Sequence, residues 1–120
     1  MILHIILPNI LIVYLIRGLF FNPIYYMEKL QQIKQFSNPQ EVMKRTNKLG
    51  LELMISNRKD KKYSIRHPVT NKIVNFGQMG YEDGTFHKNP NRIAKFKKRN
   101  AKWADAEPYT SAFLSYYLLW

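Results

Sequence analysis

The sequence predicts an α+β fold, a small three-stranded antiparallel meander with flanking helices, preceded by an apolar N-terminal segment. Three stretches of alternating apolar and polar residues, separated by short turns, lie between residues 51 and 76. No crossover helix fits between them, so successive strands must run antiparallel. Two Asn-Pro pairs, Asn38-Pro39 and Asn89-Pro90, open helical patterns on either side, because asparagine caps a helix and proline suits its first position. A chain of 120 residues has room for one small domain.

The first 26 residues hold 19 apolar side chains and a single charge, Arg17. Residues 27–120 hold 18 bases and all 8 acids, a net charge of +10. Two parts follow: an apolar segment, 1–26, and a basic α+β domain, 27–120. Three readings of the first part stand. Residues 2–21 have roughly the length of a bilayer-spanning helix, interrupted by Pro8, Asn9 and Arg17. Alternatively, translation starts at Met27 and the segment is an extension outside the working protein, or it is a buried or interfacial strip. A secretory signal fits poorly, since no Lys or Arg precedes the apolar stretch. On insertion, the bases that follow would hold the domain on the cytoplasmic side.

Tyr26, Leu30 and Ile33 recur at helical spacing, which predicts a helix over 24–36. Asn38 and Pro39 start a second one that runs to about residue 49, where Gly50 supplies a left-handed stop. Leu51, Leu53 and Ile55 then alternate with Glu52, Met54 and Ser56 as a half-buried strand. A turn at 57–60 precedes a second strand, with Tyr63 and Ile65 on one side and Ser64 and Arg66 on the other. Residues 68–71 turn again, and 72–76 form the third strand. Gly77, Gly80 and Gly84 punctuate the next stretch. A helix is expected over 90–103, and Glu107-Pro108 breaks the chain before a short apolar helix, 110–120, that packs on the sheet.

Residues 88–102 carry seven bases and no acid: Lys88, Arg92, Lys95, Lys97, Lys98, Arg99 and Lys102. On a helix, Ile93, Phe96 and Trp103 share one side, while Arg92, Lys95, Arg99 and Lys102 form a cationic stripe beside it. Phosphate backbones are drawn to such a ridge by counterion release, whatever their sequence. Lys44, Arg45, Lys48, Arg58, Lys59, Lys61 and Lys62 would widen the patch if they share its face. A solvated face that keeps the protein soluble is the plainer alternative, and anionic lipid competes for the same charge. Tyr63, Phe76, Tyr81, Phe96 and Trp103 are able to stack on bases, although aromatics at this periodicity read first as core.

Enzyme chemistry finds little support. The chain has no cysteine, hence no disulfide, thiol nucleophile or thiolate metal site. His4, His67 and His87 stand far apart without metal-ligand spacing, and the glycines at 77 and 80 match neither a dinucleotide fingerprint nor a P-loop. Glu82 and Asp83 are adjacent acids, but Asp83-Gly84 is first a turn signal. No metal or cofactor is expected.

The segment Lys62-Tyr63-Ser64-Ile65, with Phe76-Gly77 and Gly80-Tyr81-Glu82-Asp83 through Thr85, His87 and Lys88, resembles an uncharacterised family of small basic proteins of nucleocytoplasmic large DNA viruses. Arg92, Trp103, Tyr109 and the closing Leu118-Leu119-Trp120 extend the resemblance over about 52–120. Gly84 stands where that family is expected to carry an aromatic. The resemblance implies a viral setting and no activity. A fainter similarity is to the WGR module of DNA-damage polymerases, whose Trp-Gly-Arg turn sits near a DNA backbone. Here Phe76-Gly77-Gln78 lacks both the Trp and the Arg.

The resulting expectation is a non-enzymatic viral protein of the virion or infected-cell cytoplasm that binds a polyanion, foremost the phosphate backbone of nucleic acid. Lys88, Arg92, Lys95, Lys98, Arg99 and Lys102 would carry the contact. The alternative is a membrane-anchored or capsid-associated structural protein of the virion, with residues 2–21 inserted, the basic domain facing anionic lipid, and viral structural proteins as partners.

Overall fold

The computed structural model describes the backbone of residues 2–7, 10–15 and 23–120, and the side chains of residues 24–120. Strands β1 (Ile2–Leu7) and β2 (Ile10–Leu15) pair antiparallel, with Ile2 opposite Leu15 and Leu7 opposite Ile10. The spanning helix considered for 2–21 is therefore not formed by 2–7 and 10–15, and 16–21 lie outside the described residues. The reason is compositional: isoleucines and Val13 crowd this stretch, and β-branched side chains favour extended backbone. No helix among the described residues is long and apolar enough to cross a membrane.

Helix α1 (Pro23–Ile33) buries Leu30 and Ile33 and closes in a turn, with Phe36 N bonded to Ile33 O at 2.9 Å. Helix α2 (Pro39–Lys48) starts as expected: the Asn38 side chain accepts from Glu41 N at 3.3 Å, and Pro39 occupies the first turn. Val42 and Thr46 face inward. Gly50 takes φ +72 just beyond the end, a conformation glycine adopts without Cβ strain. Arg45 pairs with Glu41 at 3.2 Å and also donates to Leu118 O at 3.3 Å, which ties α2 to the C-terminal helix.

The sheet has the order β3 (Met54–Ile55), β4 (Lys61–Arg66), β5 (Ile73–Gln78), antiparallel throughout. Ile55 and Phe76 both lie opposite Tyr63 in the ladder, and Val74 lies opposite Ile65. Two sequence expectations need correction here. Pairing in the first strand shrinks from 51–56 to two residues, and Met54 and Ser56, assigned to the solvent side, are buried. Lys62 and Ser64 are buried too. Central strand β4 is covered on both sides, so polar residues at alternate positions must find partners inside the protein rather than in water.

Asp83 caps a short helix, α3 (Gly84–His87), that periodicity did not signal. Helix α4 (Pro90–Arg99) begins at the Asn89 cap but stops four residues before the expected end at Trp103. Asn100 terminates it by returning both its backbone N–H and its side-chain amide to Phe96 O, each at 3.0 Å. A 3-10 turn, Ala101–Asp105, follows. Helix α5 (Ser111–Leu114) runs directly into a π-wound turn, Ser115–Leu119. Ile33, Val42, Ile65, Phe76 and Leu114 are fully excluded from solvent and anchor a single core that draws on α1, α2, the sheet and the C-terminal helix.

Candidate functional site

Beneath the surface a chain of hydroxyls ends on one carboxylate. Tyr63 donates to Ser37 Oγ at 2.7 Å, and Ser37 lies 3.3 Å from Thr85 Oγ1. The Thr85 hydroxyl also accepts from Asn38 N at 3.0 Å and donates to Asp83 Oδ1. From the other side Lys62 reaches Asp83 Oδ2 at 3.1 Å. Every hydroxyl of the chain has a partner, as buried polar groups require. Burial pulls the Lys62 ammonium below the usual lysine range, with the Asp83 carboxylate opposing the shift, while burial pushes the Tyr63 phenol well above 10. Lys62 was counted among the bases able to widen a surface patch. It is instead an internal cation with its charge spent on Asp83 and two carbonyls.

This network props up one wall of a cleft of about 530 Å³. Strands β4 and β5 contribute Lys61, Gly77 and Gln78, the loop before α3 contributes Tyr81 and Glu82, and α4 contributes Arg92, Phe96 and Arg99. Trp103 closes one side, and Ser111, Ser115 and Trp120 from the C-terminal segment close another. Phe96 and Trp120 lie face to face at 4.0 Å with their planes 6° apart, and Trp103 meets Phe96 edge-on at 5.8 Å. Helix α4 buries no residue completely, and these rings are one of its attachments to the domain. Gly77 sets the depth of the cleft floor: a Cβ there would stand 3.0 Å from Leu119 and 3.3 Å from the Lys62 stem.

The expected binding residues fall into three groups. Lys95, Lys98 and Arg99 line a second, shallower concavity of about 470 Å³ on the outer face of α4. Arg99 belongs to both hollows, and Arg92 lines the cleft while pairing with Glu82 at 2.9 Å. Lys88 and Lys102 stand apart from both. Lys88 is the left-handed cap of α3 at φ +50, and Lys102 sits in the 3-10 turn beyond the end of α4. The straight stripe from Arg92 to Lys102 is thus broken at Asn100. Lys97 turns to the ring of Tyr116, 5.2 Å away. Among the described residues, none of Lys88, Lys95, Lys98, Arg99 and Lys102 is in an ion pair.

The five aromatics singled out for stacking divide cleanly. Tyr63 and Phe76 are core, whereas Tyr81, Phe96 and Trp103 line the cleft, Tyr81 at 69 % exposure. Lys61, one of the bases expected to widen the patch, joins them, as does Trp120, which the sequence marks only through the closing Leu118-Leu119-Trp120. The acids and His87 do not converge. Glu82 is held by Arg92, Asp83 by Lys62, and His87 packs on Trp120 outside the cleft lining, its ring 5.2 Å away. Burial and the nearby Arg92 lower the His87 imidazole below its ordinary value. Among the described residues no group of acids and histidines is placed to hold a metal ion.

These features define a small basic α+β domain with an aromatic cleft opening beside a cationic helix. Residues 51–100, from the start of the meander through α4, match the Family of unknown function (DUF5754). The match fits the uncharacterised domain expected over about 52–120, although the terminal Leu118-Leu119-Trp120 lies beyond it. No curated protein and no solved structure matches the chain.

Proposed function

We propose that the protein is a non-enzymatic binder of polyanions that engages nucleic acid through its phosphates. The observation that carries this reading is the triad Lys95, Lys98 and Arg99, three cations with no ion-pair partner among the described residues, lining one concavity on an acid-free helix. Three close cations repel one another, and a phosphate chain relieves that repulsion while releasing its own counterions. The resemblance to proteins of large DNA viruses supports a viral setting, in the virion or the infected-cell cytoplasm.

The test titrates full-length protein with labelled duplex DNA at several salt concentrations. Wild type should show a steep fall of log K with log salt. The triple variant Lys95→Glu, Lys98→Glu, Arg99→Glu should bind all sequences more weakly and flatten the slope by about 2–3, the value for three lost phosphate contacts. An unchanged slope would remove this helix from the interface. Anionic lipid is the second reading, favoured by the 19 apolar side chains among the first 26 residues. It predicts that vesicles, and not DNA, retain the protein at physiological salt.

A further inference from the structure

We propose that the aromatic cleft is a nucleobase site, so that the preferred ligand is single-stranded nucleic acid with one base unstacked into the cleft. The inference rests on the phosphate-binding reading and adds a ligand class to it. Its first support is composition: both tryptophans of the chain, with Phe96 and the exposed Tyr81, line a single hollow. Phe96 and Trp120 already stack on each other at 4.0 Å, so the exposed Tyr81 ring supplies the open face, and such a face accepts any base independent of sequence. The size is also right, since about 530 Å³ lies within the roughly 300–1,000 Å³ of small-molecule sites.

Charge supplies the second support. Lys61, Arg92 and Arg99 line the cleft, and Arg99 also lines the Lys95 and Lys98 concavity. A strand whose phosphates follow the outer face of α4 therefore reaches the cleft without a gap in cationic contact. Both carboxylates that line the cleft are already paired, Glu82 with Arg92 at 2.9 Å and Asp83 with Lys62 at 3.1 Å. Gln78, Ser111 and Ser115 offer amide and hydroxyl groups to a base edge. A duplex keeps its base faces stacked and cannot use such a cleft without extruding a base. Phosphate contacts alone give no reason to prefer the single strand, whose charge density and salt response are the weaker.

Trp103 and Trp120 are the only tryptophans, so tryptophan emission, excited beyond the tyrosine absorption band, reports on this cleft. Full-length protein is titrated with short oligo-dT, with a duplex of equal length, and with polyphosphate, at matched salt. Oligo-dT should quench the tryptophan emission and bind about tenfold more tightly than duplex, while polyphosphate binds without quenching. Tyr81→Ala, a change at an exposed ring, should erase the single-strand preference and leave the salt slope intact. Equal binding of both DNAs with unchanged emission would overturn the nucleobase site while sparing the phosphate reading. Binding of neither DNA would overturn both.

Discussion

Lys62 Nζ lies 3.1 Å from Asp83 Oδ2 with each side chain only 2 % exposed. The ammonium also donates to Tyr81 O at 2.6 Å and Phe36 O at 3.4 Å, so all three of its protons have acceptors. A buried pair is costly to break because removing one partner strands the other charge. Asp83→Ala should lower unfolding free energy by about 3–5 kcal/mol. The double variant Lys62→Met, Asp83→Asn, whose amide oxygen still accepts from Thr85 N and Oγ1, should recover part of the loss. Urea midpoints settle the matter, and a single-variant cost below about 1 kcal/mol would contradict the assignment of a buried charge pair.

Two glycines share a left-handed backbone and differ in their surroundings. Gly77 (φ +80) has Leu119 and Lys62 at contact distance from an added Cβ, whereas Gly80 (φ +87) has nothing within 4 Å. Gly80→Ala should cost only the backbone strain, about 1 kcal/mol. Gly77→Ala adds overpacking and should cost about 2–4 kcal/mol. Equal melting temperatures for the two variants would show that Leu119 gives way freely.

Stability should rise with pH across a defined window. Lys29 is buried and donates to Ser56 O and to Arg58 O, and burial brings it from 10.5 to about 8, with Asp60 opposing the shift. Below pH 8 the folded and unfolded states both hold the proton, and the fold bears the full desolvation cost. Between about 8 and 10.5 the unfolded chain binds more protons, so unfolding free energy increases with pH. The gain should be on the order of 1–2 kcal/mol after solvent screening. Lys62, lowered in the same direction, adds to the rise. Tyr63 reverses it above pH 10, because the fold retains a phenolic proton that the unfolded chain releases. Lys29→Met should flatten the rising limb in a series of chemical melts.

Helix α4 should open more readily than its neighbours. It buries no residue completely and leans on the stacked Phe96 and Trp120 rings. Trp120→Ala removes a contact worth about 0.5–1.5 kcal/mol. Amide exchange along residues 93–99 should then accelerate about three- to tenfold, with protection in β4 unchanged. Acceleration spread evenly over both elements would mean that α4 opens only with the whole domain.

Local chemistry announced much of this fold. Asn38-Pro39 and Asn89-Pro90 open helices, Gly50 follows one, and the alternation between residues 51 and 76 becomes an antiparallel sheet. What stayed hidden depends on partners distant in the chain. Alternation marks Lys62 and Ser64 as solvent-facing, and nothing nearby shows that segments from both ends of the domain cover β4. Asn100 ends α4 early through a side-chain bond that propensity does not register. The same holds for the site. Spacing on one helix groups Lys95 and Arg99 but not Lys98 with them, and the cleft needs Trp120 to meet Phe96 across 24 positions of sequence.

Lys62 and Ser64 share one side of β4, and Asp60 stands two positions before Lys62 in the preceding turn. A slip of two residues would preserve the strand's alternation, so apolar patterning alone guards weakly against that error. The ion pair guards against it directly. Displaced one way, the strand would set Asp60 against Asp83, carboxylate facing carboxylate; displaced the other way, it would offer only Ser64 to the buried charge. Lys62 thereby acts as an indexing pin that favours one register of the meander.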